Sequence, residues 1–277
     1  MLLIRKCAMW IITILILFIG ISYFLPISLS GIPVLNYHQV NAESHTQLTL
    51  SPYEFDAQMA YLHKSGYTTI TPAQLVDYLQ DSKPLPANPI LITFDDGYED
   101  NYREAYPILK KYNFTATFFI ITDFVGKNSN YMTWNQIKEM HNNGFSFESH
   151  TSSHILLPSA SDDEIHAQLI KSREKLEQLL NQKIEYLAYP GGAYDQRVIA
   201  LTKEAGYRAA FTVDFGRDKT TYGLFALNRI PIFATSHSFL HFWLRLKFTQ
   251  FFSTLQGFKT NINKSGAGKI ANWIYIP

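Results

Sequence analysis

Ile90-Leu91-Ile92-Thr93-Phe94-Asp95-Asp96-Gly97 runs from an apolar, β-branched segment straight into two carboxylates and a glycine. The first five residues fit a fully buried strand closed by a turn. Two adjacent carboxylates at such a strand end are costly unless something cationic compensates them. In extended backbone neighbouring side chains diverge, so one Asp can face a metal while the other faces substrate or water. Asp-Gly is also a common turn dipeptide, so the stretch alone is only a hint of chemistry.

Outward from it the pattern repeats. Strand-like segments fall at 34–37, 115–121, 145–148, 184–189 and 208–213, most of them rich in β-branched or aromatic residues. Amphipathic runs lie between them. Ser51-Pro52-Tyr53-Glu54 and Thr71-Pro72-Ala73-Gln74 each offer an N-cap, a proline at the first helical position and a capping-box partner. Thr133 with Gln136, and Ser161 with Glu164, predict two further capping boxes, and Gly66, Gly144 and Gly206 read as helix stops. This β-α alternation predicts parallel strands with helices outside, an α/β fold. No G-x-G-x-x-G turn opens a helix, which favours a distorted β/α barrel of about seven parallel strands over a dinucleotide-binding sheet. In such a barrel reactive residues belong at the carboxyl ends of strands.

The whole composition agrees with one large folded domain: 277 residues, 47% hydrophobic and 17% charged. Lys+Arg (24) nearly balance Asp+Glu (23), which argues against a nucleic-acid binder. The single cysteine, Cys7, rules out an intrachain disulfide and a Cys-rich zinc cage, so any metal must be held by His and carboxylates. Arg5 and Lys6 precede an apolar run over 7–25, broken only by Thr13 and Ser22. That length suits a single membrane-spanning helix, and the preceding charge predicts a cytoplasmic amino terminus with the rest of the chain exported. A signal peptide cut before Gly31, after the small residues Ser28 and Ser30, is the rival reading. The expected layout is a membrane anchor or signal segment at 1–30, a catalytic domain at 31–256 and a tail at 257–277 without periodic pattern. Residues 236–255 read as one amphipathic helix, and His237 and His241 within it are assigned no role.

Three further motifs follow strand-like segments. Ser149-His150-Thr151-Ser152-Ser153-His154 carries two His at i, i+4, a spacing common in metal sites. An Asp with two His makes an open three-ligand site with room for water or substrate. Ala188-Tyr189-Pro190-Gly191-Gly192-Ala193-Tyr194-Asp195 offers either backbone N–H groups that approach a ligand closely or an ordinary turn capped by Asp195 for the next helix. Val34-Leu35-Asn36-Tyr37-His38 places His38 at the same barrel face.

Together these four pieces, over about residues 32–232, resemble the polysaccharide deacetylase family, the NodB-like carbohydrate esterases. The resemblance implies that Asp95 is the catalytic base and that Asp96, His150 and His154 bind a divalent metal, with zinc preferred and cobalt, nickel, manganese or iron open. It implies that Pro190, Gly191, Gly192 and Tyr194 contact substrate, the Gly191 N–H facing the oxyanion. The Leu-Asn-Tyr-His piece is similar to the branch that deacetylates poly-N-acetylglucosamine, in which the last motif is permuted to the front and His38 would be the general acid. The expected partner is therefore an acetylated amino-sugar polymer outside the cell, met by a monomer. Peptidoglycan or chitin-type oligomers are the alternative substrates, and a non-catalytic glycan-binding protein is the alternative class. The chain departs from the family in the third motif, where the usual aromatic at Gly191 is missing and a second change bears on the base. The third motif usually begins with Arg, and Ala188 stands there, so the group that orients the base is absent or comes from elsewhere. Asp214 matches the fourth motif only loosely.

Overall fold

A computed structural model describes residues 31–44, 46–217 and 223–264. In chain order the elements are β1 (Val34–Tyr37), β2 (Gln39–Val40), β3 (Thr49–Leu50), α1 (Pro52–Lys64), β4 (Thr68–Thr69), α2 (Pro72–Asp81) and β5 (Pro89–Phe94). A π-helical turn (Asn101–Ala105) leads into α3 (Tyr106–Lys111), then β6 (Thr117–Ile120), α4 (Trp134–Asn142), β7 (Ser146–Ser149), α5 (Asp162–Leu180) and β8 (Tyr186–Ala188). The chain continues through α6 (Gln196–Glu204), β9 (Ala209–Phe215), β10 (Leu227–Pro231), α7 (Ser238–Lys247) and α8 (Thr249–Lys264).

The sheet runs β1-β10-β9-β8-β7-β6-β5 with all neighbours parallel. It closes because β1 pairs with both ends: Leu35 faces Ile230 of β10 on one side and Ile92 of β5 on the other. The expected barrel of about seven parallel strands is thus present, with β4 added outside β5. Its seventh strand, β10, has no counterpart among the segments expected from the sequence. No helix among the described residues is long and apolar enough to cross a membrane. The expected anchor at 1–30 lies outside the described residues.

Local chemistry explains the helix boundaries. Ser51, Thr71 and Thr133 each close a full capping box, and Ser161 accepts from the Glu164 N–H. Gly66, Gly144 and Gly206, the expected stops, follow α1, α4 and α6 in left-handed conformations. The expected single helix over 236–255 is instead two. The helix is interrupted at Phe248 (φ −116°), beside which the Leu246 carbonyl accepts from Arg217 Nη2 at 2.6 Å and the Arg245 carbonyl accepts from Thr249 Oγ1. The second helix continues to Lys264, into the stretch that shows no apolar period.

Alternation along the strands sorts side chains into two clusters. Outward-facing Phe94, Phe118 and Phe147 stack in succession at 4.9 and 5.4 Å, and Met59, Ile137, Leu169 and Val198 of the surrounding helices join the same cluster. Each such buried side chain contributes about 1.5–3 kcal/mol relative to exposure. Inside the barrel, Phe119 of β6 meets Phe211 of β9 at 5.4 Å, although those strands are not neighbours. Leu75, Val76 and Leu79 of α2 pack with Val34 and Leu91 in this inner cluster.

Candidate active site

Every motif singled out from the sequence lies just after a strand: His38 after β1, Asp95 and Asp96 after β5, His150 after β7 and Pro190 after β8. Because the strands are parallel, those positions share one rim. The loops there hold unusual backbone. Asp96 (φ 76°), Thr151 (φ 65°) and His154 (φ 60°) are left-handed without being glycine. Such residues cost about 1–3 kcal/mol each and persist where surrounding structure fixes them.

Asp96, His150 and His154 offer ligand atoms that all lie within 4.8 Å of one another. Asp96 Oδ1 is 3.4 Å from His150 Nε2 and 3.5 Å from His154 Nε2. The residues fit a divalent cation for a further reason. The carbonyl of Ala188 is 2.7 Å from His150 Nδ1, so Nδ1–H donates to it and Nε2 is left with its lone pair toward the cluster. Two imidazoles and a carboxylate suit zinc or another first-row divalent ion. Should His150 instead carry a second proton on Nε2, its hydrogen bond to Asp96 and its charge outweigh the effect of burial and keep the Asp96 carboxyl below its ordinary range, so the carboxylate is ionised in either case.

Asp95, fully buried in the barrel mouth, has a different environment. Arg229 of β10 donates to it twice, Nη1 to Oδ1 at 2.7 Å and Nη2 to Oδ2 at 2.6 Å, and Asn36 Nδ2 donates to Oδ2 at 3.0 Å. Arg229 is itself held by Nε to the Thr212 carbonyl at 2.7 Å and by Nη1 to Thr93 Oγ1 at 3.2 Å, with no solvent exposure. Burial pushes the Asp95 pKa up, yet the guanidinium and the neighbouring imidazoles hold it well below the usual carboxylate range. The family resemblance expects an Arg at Ala188; the Arg that contacts Asp95 here is Arg229, from β10. Neither Arg229 nor Asn36 was expected as a site residue. The available signal was a lone cation inside the short run Leu227-Asn228-Arg229-Ile230-Pro231.

His38 sits within the electrostatic reach of Asp95, Asp96, His150 and Arg229; burial is the dominant influence and lowers its pKa. Its Nδ1 is buried without a partner among the described residues. The Pro190–Gly192 turn projects beside this rim. Gly191 (φ 59°) and Gly192 (φ 69°) are both left-handed, and a Cβ on Gly192 would fall 2.8 Å from the Val213 backbone N. The N–H groups of Gly192 and Ala193 close the turn on the Tyr189 and Pro190 carbonyls. Asp195 caps α6 through the Val198 N–H, so the turn reading of that residue holds. Tyr194 stacks on Tyr189 at 5.4 Å and donates to Asp214 Oδ2 at 3.2 Å, which ties the loosely matching Asp214 to this loop.

Residues 82–210 match the family model described as Polysaccharide deacetylase. The Bacillus subtilis (strain 168) protein YxkH, whose name assigns it to the polysaccharide deacetylases, is 34% identical over 201 residues, 73% of this chain and 71% of its own. The poly-beta-1,6-N-acetyl-D-glucosamine N-deacetylase of Staphylococcus aureus (strain MSSA476) is 30% identical over 207 residues, 65% of this chain and 71% of its own. Among solved structures, the Streptococcus pyogenes deacetylase PplD in complex with acetate superposes with a TM-score of 0.71 at 33% identity, covering 73% of this chain and 92% of that one. The chain belongs to the polysaccharide deacetylase family. It is accordingly a hydrolase of carbon–nitrogen bonds other than peptide bonds.

Proposed function

We propose that the chain is a metal-dependent, extracellular N-deacetylase that releases acetate from an N-acetylglucosamine polymer, with poly-β-1,6-N-acetylglucosamine as the leading substrate. The observation that carries this reading is the pairing of two differently treated carboxylates: Asp95 clamped by Arg229, and Asp96 facing two imidazoles. The relative named for poly-β-1,6-N-acetylglucosamine supports the choice of polymer. The basic residues before the apolar run at 7–25 support a membrane-anchored domain facing outward.

Asp96, His150 and His154 would hold a divalent cation, which when bound would supply Lewis acidity for amide hydrolysis by water. Asp95 accepts the proton of that water. Arg229 keeps Asp95 ionised and aimed, at the expense of some proton affinity. The Gly191 N–H donates to the oxygen that becomes negative, a kind of contact whose loss costs about 10²–10³ in turnover. His38 gives a proton to the departing sugar nitrogen, a transfer for which imidazole is the commonest side chain. Each sugar so treated carries a new ammonium group.

Acetate release from β-1,6- and β-1,4-linked acetylglucosamine oligomers, each with and without chelator, tests the proposal. Chelator-sensitive preference for the β-1,6 series is expected. Preference for β-1,4 oligomers moves the substrate to peptidoglycan or chitin, and no acetate from either leaves a glycan-binding role.

A further inference from the structure

We propose that Asp100 and Asn101 are positioning residues for His38, holding the backbone that aims its imidazole at the reacting amide. The inference deepens the reading in which His38 supplies the leaving-group proton, and rests on it. It begins from a contrast between two histidines at the same rim. The His150 ring is oriented by its own hydrogen bond from Nδ1 to the Ala188 carbonyl. The His38 ring has no such tether, because its Nδ1 is buried without a partner among the described residues. Its direction is therefore set by the packing around it and by the main chain that carries it.

That main chain is gripped from one place. Asn101 Nδ2 donates to the His38 carbonyl at 2.8 Å and to Asp100 Oδ1 at 3.0 Å. Asp100 Oδ1 also accepts from the Val40 N–H at 3.2 Å, and Oδ2 accepts from Gln39 Nε2 and Asn41 Nδ2, both at 3.4 Å. One buried carboxylate and one buried amide thus collect donors and carbonyl from four consecutive residues, 38–41. Asp100 is 4% exposed and Asn101 not at all, so these bonds do not compete with bulk water. Asn101 also opens the π-helical turn, a rare geometry that tends to occur at functional positions. The same loop that begins with Asp95 and Asp96 therefore ends by bracing the segment bearing His38, which links the placement of proton acceptor and proton donor through one short stretch of chain.

The test separates leaving groups. Hydrolysis of an acetylated glucosamine oligomer needs a proton on the departing amine, whereas 4-nitrophenyl acetate expels a phenolate that needs none. Both reactions should be chelator-sensitive in the unaltered full chain. His38→Ala should lower oligomer turnover by roughly 10²–10⁴-fold and change ester turnover by less than about threefold. Asp100→Ala should reproduce the selectivity at smaller amplitude, roughly 10–100-fold on the oligomer, an effect typical of a displaced catalytic group. Asp100→Asn, isosteric and able to keep one acceptor for the Val40 N–H, should recover part of the loss and guards against a variant that fails to fold. Equal loss on both substrates in Asp100→Ala and Asp100→Asn, or loss on neither, overturns the positioning role while a selective His38→Ala leaves the mechanism standing. An unselective His38→Ala removes the mechanism itself and the inference with it.

Discussion

Arg229 donates two parallel hydrogen bonds to Asp95, at 2.7 and 2.6 Å, between strands that lie on opposite sides of β1. The planar guanidinium matches the carboxylate edge to edge, which a lysine cannot do. The pair ties the barrel interior to the candidate active site.

Arg229→Met should therefore cost about 3–5 kcal/mol of stability, because it strands a buried carboxylate. A urea midpoint measures the loss, and adding Asp95→Asn to the same chain should restore part of it without restoring acetate release. Arg229→Lys keeps the charge but not the fork; turnover should still fall roughly 10²-fold, the cost of a reacting group moved by about an ångström. Full activity in Arg229→Lys would mean that charge alone orients Asp95.

Asp96→Ala and His150→Ala should copurify with no stoichiometric divalent ion and release no acetate, since each removes one of the three candidate ligands. Asp95→Asn should retain the ion, measured by elemental analysis, and lose most turnover. An Asp95→Asn protein with normal turnover would strip Asp95 of its role as proton acceptor.

Burial raises the Asp100 carboxyl to about 6 despite its donors. The folded chain then binds that proton more tightly than the unfolded chain, whose Asp titrates near 3.9. The resulting stability is fully present below about pH 4 and is lost as pH rises through about 6. Subtracting the Asp100→Asn curve from that of the unaltered chain, from urea midpoints between about pH 4 and 7, should isolate this slope. Parallel curves would show that the site titrates no differently in the two states.

The two glycines of the Pro190–Gly192 turn should respond unequally. Gly192→Ala meets the Val213 backbone at 2.8 Å in addition to its left-handed strain, so a loss of roughly 1–3 kcal/mol or more is expected. Gly191→Ala meets only the Leu156 side chain, at 3.4 Å, and should cost roughly 1 kcal/mol. Thermal melts of the two variants would expose an error if they coincided.

Much of this architecture was legible before any coordinates. Six strands and the capped helices follow from apolar runs ending in turns, and the carboxylate and histidine motifs fall where a parallel barrel concentrates its chemistry. The strand at Leu227–Pro231 was not legible, because Asn228, Arg229 and Pro231 interrupt the apolar pattern that marks a buried strand. Local reading treats an arginine there as a solvent-facing residue. Only the partner 134 positions earlier in the chain makes it an interior one. The two-residue strands β2, β3 and β4 are too short to show any period. The break at Phe248 was hidden for a similar reason, since the Arg217 side chain that takes the Leu246 carbonyl comes from a distant loop.

The first strand of the barrel is hydrogen-bonded to the last, and the last brings the only guanidinium that bonds Asp95 among the described residues. During synthesis Asp95 leaves the ribosome long before residue 229 exists. Sealing the cylinder in that interval would bury the Asp95 carboxyl without its guanidinium, either as a costly lone anion or as a protonated acid, so closure of the ring and ionisation of Asp95 both wait on the arrival of β10.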